Sequence, residues 1–232
     1  MAAPNFEGCP ERLQVWSDRW DAGHTAFHRD DVHHSLQTHL SRLLQSAPSR
    51  VFVPLCGKTT DMPFLASLDA GVVSEVVGVE GVRKAVEELV EENPSLKFSL
   101  SDNVATSGDE RLKVYVADFF QLPDIGSFEA AWDRGSFVAI DRSLCQAYAD
   151  VMAKLMAPGG RILLDVFHYD QSVMQGPPFS VDAETVEKHF GSKFAIEKLG
   201  SYDAFTTHGM LRQVGLDACS EDVYLLTKRA DE

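Results

Sequence analysis

Residues Arg50 to Glu80 read RVFVPLCGKTTDMPFLASLDAGVVSEVVGVE. Val51, Phe52 and Val53 open a short apolar run that stops at Pro54. Leu55-Cys56-Gly57-Lys58 follow, then Met62, Phe64, Leu65 and Leu68 at near-helical spacing, closed by Gly71. Val76, Val77 and Val79 form a second apolar run, which ends on an acid, Glu80. A strand, a glycine turn opening a helix, and a strand ending in a carboxylate make the βαβ unit that binds nucleosides. In that unit a carboxylate roughly 20 residues past the turn takes the ribose hydroxyls.

Two other loops share parts of this pattern. Gly57-Lys58-Thr59 is the end of a Walker A loop, but that motif needs a glycine five places before Gly57, where Phe52 stands. The phosphate cradle is therefore missing, and nucleotide triphosphate hydrolysis is excluded. The G-x-G-x-x-G dinucleotide fingerprint is absent from the chain, which counts against a nicotinamide-dependent oxidoreductase. One glycine lets the backbone approach a nucleoside or an amino-acid group without forming a pyrophosphate nest. Taken alone, the turn is equally an ordinary βα connection. Glu80, at the strand end and at the right separation, favours the binding reading over a solvated acid.

Composition narrows the field. The chain has 232 residues, 44% of them hydrophobic, enough for one domain with a buried core. A net charge of -14 argues against a nucleic-acid groove or an anionic membrane surface. A small-molecule partner and a monomer are expected. Cys9, Cys56, Cys145 and Cys219 are scattered, with no CxxC pair. The N-terminus MAAPNFEGCPER has neither a basic start nor an apolar core, and no apolar run approaches membrane-spanning length. A reducing compartment, the cytoplasm, is the expectation.

Outward from the opening unit, Glu11–Asp21 reads as a helix with Trp16 and Trp20 on one face, ended by Gly23. A second helix is expected from about Asp31, with Val32, Leu36, Leu40, Leu43 and Leu44 as its stripe. After Glu80, Val82 to Glu92 is a helix broken at Asn93-Pro94. Phe98 to Lys113 is polar, a weak strand or loop with a turn near Gly108. Val114–Phe119, Phe128–Trp132 and Arg161–Phe167 are core strands, and Ser143–Met156 is a helix closed by Pro158-Gly159-Gly160. A loop from His168 to Pro178 precedes a short helix, Val181–Phe190. Phe194–Phe205 and Val223–Thr227 are two final strands with no full helix between them, so they are expected to pair as a hairpin.

The fold class is therefore α/β: a seven-stranded, mostly parallel Rossmann-like sheet with a C-terminal antiparallel hairpin and an N-terminal helical lid. That is the methyltransferase variant of the nucleoside-binding fold. One domain, 1–232, is expected, with 1–48 as tail and lid helices and 49–232 as the α/β core.

In open α/β sheets, ligands sit beyond the carboxyl ends of the strands. Glu80, Asp118-Phe119 and Asp133-Arg134-Gly135 end successive strands, a stronger signal together than singly. For Arg134 the plain alternative is a salt bridge to Asp133 or to another surface acid. Trp16, Trp20 and Phe27 precede the sheet; packing of a peripheral helix is the usual explanation and suits Trp16, while a lid placed there could also present an aromatic face that attracts a sulfonium cation. The eight histidines, His24, His28, His33, His34 and His39 among them, have no acid or cysteine at a recognised ligand spacing, so no metal is expected. Cys56 lacks an activating neighbour, and no G-x-S-x-G is present to anchor hydrolase chemistry.

The set Trp16-x3-Trp20, TAFH (Thr25–His28), VFVPLCGK (Val51–Lys58), VVGVE (Val76–Glu80), WDRG and VAI (Trp132–Ile140), GPPF (Gly176–Phe179) and YLLT (Tyr224–Thr227) resembles the thiopurine S-methyltransferase family. The likeness spans Trp16 to Thr227. It implies the seven-stranded methyltransferase fold, S-adenosyl-L-methionine as cofactor with S-adenosyl-L-homocysteine as product, and methylation of sulfur on aromatic or heterocyclic thiols. By this resemblance Trp16, Trp20 and Phe27 lie over the cofactor, and Leu55 and Gly57 approach its methionine part. Glu80 takes the ribose, and Asp118 and Phe119 lie along the adenine. Arg134 sits between cofactor and acceptor; Phe27, Pro178 and Phe179 complete the acceptor pocket. Family members carry a second active-site arginine ahead of the last strand, where Arg212 is the nearest candidate, so Arg134 and Arg212 are the catalytic expectations. Enzymes with a similar domain act on other small thiols, halides, or selenium and tellurium compounds, and those acceptors stay open, as does a non-catalytic cofactor-binding protein.

Overall fold

The computed structural model describes residues 11–45, 47–207 and 213–230. A nine-stranded sheet forms its centre. In chain order the strands are β1 (Ser49–Val53), β2 (Val73–Glu80), β3 (Ser99–Ser101), β4 (Val104–Thr106), β5 (Leu112–Val116), β6 (Phe128–Arg134), β7 (Met156–Tyr169), β8 (Phe194–Asp203) and β9 (Cys219–Lys228). They lie in the order β3-β4-β5-β2-β1-β6-β7-β9-β8. β5, β2, β1, β6 and β7 run parallel. β9 pairs antiparallel with both β7 and β8, the expected hairpin.

The sheet exceeds the expected seven strands because β3 and β4 form a short hairpin antiparallel to β5 at the far edge. Its turn uses Asp102 at φ 42. Strands of three residues, one wholly exposed, carry too little alternation to be told from a loop. β7 is longer than expected at its start. Its pairing with β6 slips between Phe128 and Ala130, so Pro158-Gly159-Gly160 bulges out there as the sharp exit from the preceding helix.

The helices are α1 (Glu11–Asp21), α2 (His34–Leu43), α3 (Asp61–Ser67), α4 (Arg83–Glu92), α5 (Cys145–Leu155), α6 (Ala183–Phe190) and a final turn, α7 (Ala204–Thr207). α2 begins later than its apolar stripe suggested, because the ring of His33 caps it by accepting from the backbone N–H of Ser35. Strand residues alternate between two cores. Val51, Val53, Trp132, Leu163 and Val223 meet α2, α3 and α4 on one face. Phe52, Ala131, Leu164 and Tyr224 meet α5 and α6 on the other. Both faces are thus covered, which is why the central strands read as continuous apolar runs. No helix among the described residues is long and apolar enough to cross a membrane.

Candidate active site

The turn after β1 is built around Glu80. Leu55 and Gly57 adopt positive φ, 41° and 51°, and the Cys56 N–H donates to Val79 O at 3.0 Å. The turn therefore folds back over the end of β2. Glu80 Oε2 accepts from Gly57 N at 2.9 Å, and Oε1 accepts from Val82 N at 2.7 Å. Burial pushes this carboxyl up; the N–H groups of Val82, Gly57 and Gly81 oppose the shift. Each carboxylate oxygen keeps a second lone pair, the acceptor capacity a ribose diol needs. Lys58 turns away to Glu88 and Glu92 of α4, at 3.0 and 2.5 Å, as expected of a loop that is not a phosphate cradle.

α1 lies across this turn. Trp20 is buried against Val82 and Ala85. Its ring comes so near Gly57 that a Cβ there would stand 3.4 Å from Cζ2. A Cβ on Gly81 would meet the tip of the Leu13 side chain of α1 at 2.6 Å, so α1 packs closely over this point. Trp16 and Trp20 each meet Phe27 edge-on, with centroids 5.7 Å apart. Phe27 remains 38% exposed, so the cluster keeps one open aromatic face. At the other end of α1, Arg12 pairs with Asp118 and covers the ring of Phe120.

Asp118 and Phe119 divide. Asp118 caps the turn after β5, accepting from Phe120 N at 3.0 Å, and meets the lid. The Phe119 ring faces the core, stacked on Tyr148 with centroids 4.5 Å apart. The neighbouring ring at the cleft is Phe120, which no motif marked.

Arg134 and Asp133, adjacent on β6, point to opposite faces, as period-two alternation requires. Asp133 accepts from Tyr148 Oη at 2.7 Å and Phe137 N at 3.2 Å, and burial raises its carboxyl to about 6. The alternative of an Asp133–Arg134 salt bridge is therefore not realised. Arg134 reaches the lid instead: Nη1 donates to Phe27 O at 2.9 Å, while Nε is enclosed without a partner. Burial lowers the pKa of Arg134, opposed by the charges of Asp165, Glu221 and Asp61.

Those three acids were not among the expected site residues. Glu221 Oε1 is 3.0 Å from His33 Nε2, and Asp165 Oδ2 is 3.8 Å from His33 Nδ1. Asp61 accepts from His33 N and from Trp132 Nε1, both at 2.8 Å. The available signal was an acid or base two places from an inward apolar residue: Trp132/Arg134, Leu163/Asp165 and Glu221/Val223. His33, His34 and Glu221 offer atoms within 4.8 Å of one another, so an acid does reach the histidines, from β9. His33 Nδ1 accepts from Ser35 N at 3.3 Å, which leaves the hydrogen on Nε2. Nε2 therefore faces Glu221 Oε1 across 3.0 Å as a close electrostatic contact.

Phe179 and Pro178 sit on the same side of the sheet ends. Phe179 N donates to Val138 O at 2.6 Å, and the Arg142 guanidinium lies 5.7 Å from its ring. Pro178 O accepts from the Tyr169 hydroxyl. Arg212 lies outside the described residues.

A family model described as thiopurine S-methyltransferase matches residues 11–229. A probable thiopurine S-methyltransferase of Danio rerio is 35% identical over 227 residues, 94% of this chain and 95% of its own. Thiopurine S-methyltransferase of Bos taurus is 34% identical over 235 residues, 97% and 95% of the two chains. Among solved structures, a Burkholderia thailandensis 1,6-didemethyltoxoflavin N1-methyltransferase holding its substrate and S-adenosylhomocysteine superposes with a TM-score of 0.63 at 16% identity, over 99% and 94% of the chains. The [4+2]-cyclase SpnF superposes at 0.66 with 14% identity, over 96% and 98%, so the fold alone does not fix the reaction.

Proposed function

The chain belongs to the thiopurine S-methyltransferase family, and on that premise we propose that it moves the methyl group of S-adenosyl-L-methionine to the sulfur of an aromatic or heterocyclic thiol of the thiopurine kind. One observation carries the reading: Glu80, Asp118 and Arg134 stand at the carboxyl ends of β2, β5 and β6 beneath a single aromatic lid. When bound, S-adenosylmethionine supplies an activated, positively charged methyl donor, and S-adenosylhomocysteine is left.

The chain's own groups do the rest. Glu80 takes the ribose hydroxyls on its spare lone pairs, and Leu55 and Gly57 let the backbone come close to the methionine part. Asp118 borders the adenine, with the backbone of Phe119 beside it. Trp16, Trp20 and Phe27 cover the site, exclude water and present an open ring face to a cation. Arg134 attracts an acceptor that has already lost its thiol proton, or polarises a thione; aromatic thiols ionise readily, so no strong base is required. Alignment of sulfur and methyl supplies most of the acceleration. Pro178 and Phe179 form one wall of the acceptor pocket, and Arg212 is a second cation for it.

We take the protein to work as a monomer of one domain, on small molecules and not on nucleic acid, whose phosphates its charge of -14 would repel. The free, buried thiols of Cys56, Cys145 and Cys219 suit the reducing cytoplasm. The test is transfer of labelled methyl from the cofactor across a panel of aromatic thiols, aliphatic thiols, selenides and halides, with the products identified. Preferred S-methylation of the aromatic or heterocyclic thiols is expected. Cofactor binding without transfer to any acceptor would overturn the enzymatic reading, and preference for a halide or selenide would overturn the acceptor.

A further inference from the structure

We propose that Glu221, acting with Asp165, Asp61 and His33, is a positioning residue that fixes the charge and direction of Arg134 without occupying its hydrogen-bond donors. This rests on the reading of Arg134 as the residue beside the acceptor.

The arrangement follows from strand alternation. Trp132 and Leu163 face the core beneath α2, so Arg134 and Asp165, two places further on, face the same way. Arg134 and Asp165 are opposite each other in the β6–β7 register. Val223 shares that face, and Glu221 lies two places from it on β9. The topology thus turns a cation and two acids from three strands into one space under the lid. His33 stands between the two acids. Its backbone N–H holds Asp61 from α3, and Asp61 is fixed again by the Trp132 indole and, at 3.1 Å, by the Thr59 hydroxyl.

The guanidinium forms no ion pair among the described residues, and its Nη1 donates to the lid carbonyl of Phe27. A half-buried guanidinium whose Nε is cut off from any partner would be costly without nearby charge. Acids that face it without clasping it reduce that cost through space and leave Nη groups free for an anionic sulfur. A direct salt bridge would consume the same donors. Other charged or titratable groups facing this set are His28 and Arg29, from the loop after α1, toward Arg134, and His34 of α2 and Cys219 of β9 toward Glu221. Burial first, and then the charge of Glu221, push the Asp165 carboxyl well up.

The experiment is a double-mutant cycle on methyl transfer, Glu221→Gln against Arg134→Ala, with an electron-poor aromatic thiol that stays ionised across the pH range used. Glu221→Gln is expected to lower kcat/KM for that acceptor roughly tenfold, with cofactor Kd and melting temperature little changed. In the Arg134→Ala background the same substitution is expected to add almost nothing. An equal loss in both backgrounds, or no loss in either, overturns the inference. If Arg134→Ala itself has no effect, it is the reading of Arg134 that fails. Asp165→Asn supplies a second readout that survives a poorly folding Glu221 variant. Asp165→Asn is expected to lower kcat/KM for the anionic thiol in the native background and to add almost nothing in Arg134→Ala, and an equal loss in both backgrounds would contradict the proposal.

Discussion

Glu80 and Arg134 both carry charge at the carboxyl ends of core strands, Glu80 buried and Arg134 half-buried, and they are held in opposite ways. Glu80 is satisfied locally: the N–H groups of Gly57 and Val82, both within the βαβ unit, close on its two oxygens. Arg134 is satisfied from afar, by acids on α3, β7 and β9 and a carbonyl in the lid. The first arrangement makes a rigid acceptor set by one loop. The second leaves a cation with free donors, whose field depends on four separate segments of the chain. That contrast suits the two tasks: a cofactor that is always the same, and an acceptor that varies.

The contrast can be broken by substitution. Arg134→Ala is expected to lower kcat/KM for an ionised aromatic thiol about a hundred- to a thousandfold, the usual cost of losing one preorganised electrostatic partner. Steady-state kinetics with thiols of different acidity checks it: the loss is largest for the anionic acceptor and smaller for a neutral one. A uniform loss across acceptors would mean that Arg134 serves the fold rather than the substrate.

Asp133 sharpens the comparison, because it stands next to Arg134 on β6 yet belongs to the opposite core. Its carboxyl is raised from 3.8 to about 6 by burial. The folded state therefore binds a proton that the unfolded chain has released. The resulting stability is present below about pH 4 and lost as pH rises through about 6, roughly 3 kcal/mol in all. Asp133→Asn is expected to remove that decline. A pH series of denaturant unfolding on both proteins measures it, and identical slopes would contradict the assignment.

The smallest effect is expected at the lid. Arg12 ties α1 to Asp118, but its side chain is 38% exposed. Arg12→Ala is expected to cost at most about 1 kcal/mol, the upper range for an exposed pair. It should raise the cofactor Kd only about twofold. A large loss of binding would mean that the lid is held by this pair rather than by the packing of Trp20.

How much of this was legible in the sequence follows the same division. The Arg50–Glu80 unit could be read because its parts lie within one strand–helix–strand stretch, and turn chemistry and spacing are local. The hairpin of β8 and β9 was legible from the missing crossover helix. β3 and β4 were not, since SLS and VAT are too short for a period to show. Phe119 and Phe120 were ambiguous because the chain leaves the strand there and enters a single 3-10 turn, which rotates one ring into the core. His33, Asp165 and Glu221 were the hardest. Each looks ordinary in its own segment, and only the β6–β7–β9 register brings them to Arg134. Asp133 and Arg134 could have been separated by alternation alone, which already forbids strand neighbours from pairing across the sheet.

The central claim is that Glu80, fixed by the turn it organises, holds the nucleoside of the cofactor. Calorimetric titration of S-adenosylhomocysteine into the native protein and into Glu80→Gln tests it most directly. The substitution keeps the side chain's shape while removing the charge and one acceptor, and loss of a charged hydrogen-bond partner is worth about 1.5–3 kcal/mol. The account predicts a Kd at least about tenfold weaker in Glu80→Gln, with the melting temperature lowered only slightly. An unchanged Kd in a folded variant would contradict it.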